Sequence, residues 1–268
     1  MKTNKSANKS SKAESDIHNL NAVLKKLLEK QQYRFVGKHT AVKICGWTKK
    51  SLKGEGVCYK EKFYGIRSHL CCQMSPAVGF CQNRCVFCWR EMDHTLGASM
   101  SADESDRPDD TIPKFADAQQ SLLVGFKGND KVRLEKWGEA GEPMHFAISL
   151  TGEPTLYPYL GELIRKLHKK GKTTFLVTNG QSPAVLKEIE PPTQLYISVD
   201  APNRKLFDRI ERSSNKDAWE RLNKSLDTMR LLRKKTRTTL RLTLIKGMNM
   251  LLPKQWAGLI LKADAMFV

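Results

Sequence analysis

Short apolar runs alternate with amphipathic stretches through the second half of this 268-residue chain. The runs His145–Leu150, Thr173–Thr178, Leu195–Val199 and Thr238–Ile245 read as strands. Between and after them, Leu160–Lys169, Pro183–Ile189, Asp217–Lys234 and Lys254–Ala263 read as helices, and a further strand opens at Met266. Strand-then-helix repetition requires a parallel sheet with both faces covered. Such sheets carry their chemistry at the carboxyl ends of the strands. Here those ends are Thr151-Gly152-Glu153-Pro154, Asn179-Gly180, Asp200 and Lys246. Pro76–Phe80 reads as an earlier buried strand, and its end is Cys81. The chain stops inside its last expected strand, so the sheet reads as truncated at the C-terminus.

The N-terminal part has a different texture. Residues 1–16 hold four Lys, four Ser and two Asn, a composition expected to be a disordered tail. Leu20, Val23, Leu24, Leu27 and Leu28 recur at helical spacing within Ile17–Tyr33, with Asp16 as an expected cap. Residues 37–75 read as short loops broken by Gly46, Gly54 and Gly56. Residues 101–110 hold five acids and Pro108 and read as a solvated loop, and Lys114–Gly125 as a helix. No run approaches the length of a membrane span, and the Lys/Ser-rich start lacks the apolar core of a secretory signal. A cytoplasmic protein is expected.

Seven cysteines stand at 45, 58, 71, 72, 81, 85 and 88, and none follows. An odd count without a secretory signal argues against a disulfide framework and for metal. Cys81, Cys85 and Cys88 form C-x3-C-x2-C in one tight loop. Three thiolates on a four-iron cubane leave one iron open to a small molecule. A structural zinc site that borrows a fourth ligand is the alternative. Cys45, Cys58 and Cys71 lie 13 and 13 residues apart on segments that can return to one point, and Cys72 is equally close in sequence.

The cysteine loop followed by Gly152-Glu153-Pro154 resembles the radical S-adenosylmethionine superfamily. Cys58–Pro76, Cys85-Val-Phe-Cys88-Trp-Arg90 and Ser149–Pro158 narrow the likeness to the tRNA-modifying enzymes that form 4-demethylwyosine in wybutosine synthesis. The resemblance spans about residues 35–268 and is nearest the archaeal form, without a preceding flavodoxin-like domain. It implies an α/β fold: a partial (β/α)6 barrel over 76–268, with a cluster-binding extension over 17–75. It implies two 4Fe-4S clusters, one on Cys81, Cys85 and Cys88, the other on Cys45, Cys58 and Cys71, and S-adenosyl-L-methionine as cofactor. Gly152 and Glu153 would meet the methionyl amino group. Asn179, Ser198 and Asp200 would face the ribose and carboxylate. Lys60 would form a Schiff base with pyruvate, with Lys62 as the confounding neighbour. The implied reaction is a lyase condensation of pyruvate with N1-methylguanosine beside the tRNAPhe anticodon. A separate flavodoxin- or ferredoxin-type protein would donate the electron.

The formal charge is +18, which favours a polyanionic partner. Residues 201–248 contribute 14 Lys/Arg against 5 Asp/Glu. Arg230, Arg233, Lys234, Lys235, Arg237 and Arg241 are the densest part and the expected tRNA contacts. Two rivals stand beside this reading: another radical enzyme acting on RNA, and a non-catalytic zinc-stabilised RNA-binding protein.

Overall fold

A computed structural model describes residues 22–268. The expected tail, the cap at Asp16 and the first residues of the expected N-terminal helix lie outside the described residues. Helix α1 (residues 22–30) leads to β1 (Arg34–Phe35) and β2 (Ala41–Lys43). Residues 37–75 are not simply loops. Helices α2 (Gly46–Lys53) and α3 (Tyr59–Tyr64) start directly after Cys45 and Cys58, and β3 (Cys71–Ser75) follows. Next come α4 (Pro108–Thr111), α5 (Phe115–Leu123) and α6 (Leu134–Ala140). The alternating half runs β4 (His145–Ile148), α7 (Leu160–Lys169), β5 (Thr173–Thr178), α8 (Pro183–Glu188) and β6 (Gln194–Ser198). It ends with α9 (Arg204–Glu211), α10 (Ala218–Leu232), β7 (Arg237–Arg241) and α11 (Pro253–Ala263).

These strands form one seven-stranded sheet in chain order. The pairs β1–β2 and β2–β3 are antiparallel, and β3 through β7 are parallel. Phe267 bridges Thr239 in parallel, as the expected strand at Met266 requires. The result is an unclosed α/β barrel whose first parallel strand is β3.

Three sequence expectations need correction. The strand expected at Pro76–Phe80 lies one step earlier, at Cys71–Ser75, and 76–80 is a turn. Pro76 has no N–H to give a ladder, and the Ser75 hydroxyl accepts the Ala77 N–H instead. β7 ends at Arg241, so Lys246 lies in a turn rather than at a strand end. The acidic 101–110 segment is latched, not free. The Asp106 carboxylate accepts the N–H groups of Lys38, His39 and Thr40, and the Tyr157 hydroxyl donates to its carbonyl.

Side-chain alternation gives the sheet two unlike faces. Cys72, Met74, Phe146, Ile148, Leu176, Leu195, Ile197 and Leu240 face the helices in one continuous apolar core. Helix α7 meets them with Leu160, Leu163, Ile164 and Leu167, the spacing of one helical stripe. Each such buried side chain contributes about 2 kcal/mol by leaving water. Registers place Cys71, Gln73, His145, Ala147, Phe175, Gln194, Tyr196, Ser198 and Arg241 on the opposite face, which lines the lumen.

Candidate functional site

Two cysteine sets stand at different ends of this lumen. The upper set follows β3, where the chain turns across the carboxyl ends of the strands. Its loop is docked by backbone bonds: Cys81 N–H to Gly97, Arg84 N–H to Glu211 and Val86 N–H to Ile210. Donors converge on the sulfurs. Asn83 N–H lies 3.4 Å from Cys81 Sγ, Asn179 Nδ2 3.7 Å from it, and Arg90 Nε 2.8 Å from Cys88 Sγ. Burial pulls the Arg90 pKa down, but the Cys81 and Cys88 thiols more than reverse this and hold it charged. Burial raises the Cys81 thiol and Arg90 opposes it. Three thiols in one loop, N–H groups aimed at sulfur and a buried counter-charge suit an anionic iron–sulfur cluster with one open iron.

The other expected residues surround this loop. Gly152 (φ +74°) lies where any Cβ would overlap the Ala77 carbonyl, so the β4 turn can touch the base of the cysteine loop. The Glu153 N–H donates to Phe80 over 2.7 Å. The buried Glu153 carboxylate takes four of the protein's own donors: Thr155 N–H and Oγ1, Thr178 Oγ1 and Asn179 N–H, at 2.7–3.0 Å. It therefore ties the end of β4 to the end of β5. Asn179 reaches Cys81 and Gln82. Asp200 accepts Thr243 N–H at 3.0 Å and faces Glu211. Ser198 stands on the lumen face and accepts from Arg241 at 3.4 Å.

Sequence reasoning missed Glu211. Its Oε2 lies 2.7 Å from Asn83 Nδ2 and 2.8 Å from Cys85 Sγ. Burial and the Asp200 carboxylate push its pKa up to about 8. The signal was available: Phe207, Ile210 and Glu211 share one helical stripe, so an acid stands on a buried face.

The lower set is assembled from three elements. Cys45 and Cys58 are the N-caps of α2 and α3, and Cys71 is the first residue of β3. All three line one cavity of about 60 Å3 with Lys60, Gln73 and Ser149. Cys72 is fully buried on the helix-facing side. Full burial pushes the Cys71 thiol up to about 11, with Lys60 opposing. Lys60 Nζ lies 4.6 Å from the Phe175 ring centre. Lys62 is exposed and does not line this cavity. Two helix starts and the lumen wall thus bring these three thiols to one cavity with Lys60 at the barrel floor.

The six basic residues do not form one patch. Arg237 and Arg241 are at opposite ends of β7. Arg230, Arg233, Lys234 and Lys235 lie at the end of α10, beside the start of β7. Arg233 pairs with Asp264 at 2.7 Å, and Arg237 stacks over Tyr64 at 4.8 Å. Arg241 alone stands at the upper end.

An unclosed α/β barrel with a three-cysteine loop after its first parallel strand defines a radical S-adenosylmethionine protein, and the Radical SAM superfamily profile matches residues 129–251. The chain is 48% identical over 246 residues to the S-adenosyl-L-methionine-dependent tRNA 4-demethylwyosine synthase of Pyrococcus abyssi, covering 90% of this chain and 71% of that protein. It is 40% identical to the Homo sapiens protein of that name, covering 84% of this chain and 30% of the human one. A solved structure of TYW1 with a lysine-pyruvate adduct bound superposes with a TM-score of 0.78 at 43% identity, covering 90% of this chain and 76% of that one. An archaeal TYW1 crystal structure gives 0.71 at 40% identity, covering 90% and 78%. This chain belongs to the S-adenosyl-L-methionine-dependent tRNA 4-demethylwyosine synthase family.

Proposed function

We propose that the protein condenses pyruvate with N1-methylguanosine of tRNAPhe to form 4-demethylwyosine, as a carbon–carbon lyase. The observation that carries this reading is Lys60 in one cavity with Cys45, Cys58 and Cys71, below a sheet whose first parallel strand leads into the Cys81, Cys85 and Cys88 loop. Cys81, Cys85 and Cys88 would hold the upper 4Fe-4S cluster, and Cys45, Cys58 and Cys71 the lower one. With S-adenosyl-L-methionine bound, the upper site would supply a 5′-deoxyadenosyl radical able to take hydrogen from the N1-methyl group. Arg90 balances thiolate charge there. Asn179 and Glu153 fix the ends of β4 and β5 around the cofactor. Gly152 lets the β4 turn pack under the cysteine loop beside the methionyl end, and Ser198 and Asp200 face the ribose side.

At the lower end the Lys60 amine adds to carbon 2 of pyruvate and holds it as an imine. A lysine-pyruvate adduct in a TYW1 structure supports this role. The lumen wall of Phe175, Tyr196 and Ile66 is dry and keeps water from the reacting carbons. Arg241 is the basic residue best placed to meet the entering nucleotide. Arg230, Arg233, Lys234, Lys235 and Arg237 reach more distant phosphates. No helix among the described residues is long and apolar enough to cross a membrane. A cytoplasmic setting and an external electron donor of flavodoxin or ferredoxin type complete the proposal.

The test is nucleoside mass spectrometry after anaerobic reconstitution with iron, sulfide, reductant, S-adenosyl-L-methionine, pyruvate and methylated tRNAPhe. The tricyclic base is expected, and its formation must require both pyruvate and Lys60. Product formed by Lys60→Ala would overturn the lysine's role, and product formed without pyruvate would overturn the reaction.

A further inference from the structure

Three aromatic rings stand around the Lys60 amine, next to the cysteine-lined cavity. Its Nζ lies 4.6 Å from the Phe175 ring centre, 5.9 Å from that of Tyr196 and 6.0 Å from that of Tyr59. Phe175 is fully buried and Tyr196 is 3% exposed, whereas Tyr59 is 43% exposed. These rings come from β5, β6 and α3, so tertiary structure alone brings them together. They favour a cation at this position, whether ammonium or iminium.

The cage also contains a polar pair. The Tyr59 hydroxyl donates to the Tyr196 oxygen at 3.1 Å. Among the described residues no acceptor takes the Tyr196 proton, and Tyr196 is a buried phenol whose ring centre lies 5.9 Å from Lys60 Nζ. Tyr59 connects that phenol to solvent. Burial, and then the Tyr59 hydrogen bond, raise the Tyr196 pKa, so the phenol stays protonated.

We propose that Tyr196 is the general acid for imine formation at Lys60, and that Tyr59 resupplies its proton from solvent. This inference rests on the reading of Lys60 as the pyruvate-binding amine. The Lys60 nitrogen forms a bond to carbon 2, and the carbonyl electron pair moves to oxygen. One nitrogen proton moves to that oxygen, giving a neutral carbinolamine. Tyr196 then protonates the carbinolamine hydroxyl. The carbon–oxygen bond breaks, its electron pair leaves with water, and the nitrogen lone pair closes the carbon–nitrogen double bond. Tyr196 takes a proton back through Tyr59. The aromatic cage holds the resulting iminium.

Borohydride trapping tests this without S-adenosyl-L-methionine or tRNA. Cluster-reconstituted wild type, Tyr196→Phe, Tyr59→Phe and Lys60→Ala are mixed with pyruvate, quenched with sodium borohydride over time and assayed by peptide mass. Iron per chain is measured in each to confirm that the fold is retained. General acid catalysis contributes roughly 10²- to 10⁴-fold, so Tyr196→Phe is expected to slow trapping at least about 100-fold. Tyr59→Phe is expected to slow it several-fold. Trapping at the wild-type rate in both variants would overturn the proposal. If Tyr196→Phe loses its iron, Tyr59→Phe decides alone, and an unchanged rate overturns the relay. An adduct that persists in Lys60→Ala would sink the lysine assignment instead, and this inference with it.

Discussion

The upper and lower cysteine sets hold three thiols each but are built in opposite ways. The upper thiols share one loop, and their neighbours are charged: Arg90 beside Cys88, and the Asp200–Glu211 pair beside Cys85. The lower thiols come from two helix starts and one strand start, and their neighbours are mainly rings, amides and hydroxyls. A loop fixes its ligands by local geometry and needs side chains only to tune charge. A dispersed set depends on the packing of whole elements. The first therefore fails when the loop is displaced, and the second when α2, α3 or β3 moves.

A glycine substitution in each region should break the comparison most sharply. Gly152→Ala forces a Cβ into the Ala77 carbonyl at a backbone angle of +74°. Overlap and strain together should cost about 3–5 kcal/mol and displace the cysteine loop. Gly65, which caps α3 near the lower set, has φ +71° but nothing within 4 Å of a built Cβ. Gly65→Ala should cost only about 1 kcal/mol. Thermal unfolding and iron content check both. Equal losses would show that the close contact at Gly152 is not what fixes the upper loop.

The adjacent pair Cys71 and Cys72 gives a smaller and more selective effect. Cys71 faces the lumen and Cys72 the helix-packed core. With two clusters bound, wild type should carry about eight irons per chain, and Cys71→Ala about four. Cys72→Ala should keep all the iron and lose about 1 kcal/mol of stability through a small cavity. Iron loss in Cys72→Ala alone would reverse the assignment.

This pair also marks the limit of what the sequence reveals. Spacing exposed Cys81, Cys85 and Cys88 because a loop is local, and apolar periodicity exposed α7 and β5 at their observed ends. Nothing in the sequence says which of two neighbouring cysteines faces the lumen, because a strand reverses sides at every residue and its register is set by its partners. The helices α2 and α3 escaped notice because they are short and present thiols, lysines and exposed aromatics rather than an apolar stripe. Tyr196 read as one more apolar strand residue. Its meaning comes from Tyr59 and Lys60, more than 130 residues earlier. The basic cluster at 230–241 looked continuous because sequence proximity hides the length of β7, which carries Arg237 and Arg241 to opposite ends.

The two regions should also respond to pH with opposite sign. Burial and Asp200 push the Glu211 pKa from 4.5 up to about 8. Between those values the folded chain holds a proton that the unfolded chain has released, so this group's stabilisation is lost as pH rises. At the lower end, burial, then Arg67 and Lys60, depress the His145 pKa from 6.5 to about 4. There the unfolded chain binds a proton that the folded chain refuses. The stability contributed by neutral His145 is full above pH 6.5 and is lost as pH falls toward 4. Because His145 is part-exposed, its effect should be only about 1–2 kcal/mol after screening. Urea unfolding of the cluster-free chain from pH 4.5 to 8 separates the two. Relative to wild type, Glu211→Gln should gain stability toward pH 8, and His145→Gln should gain toward pH 4.5. Were both variants to flatten the same limb of the curve, the two ends of the lumen would be titrating as one coupled unit, and the contrast between a charged loop and a neutral floor would fail.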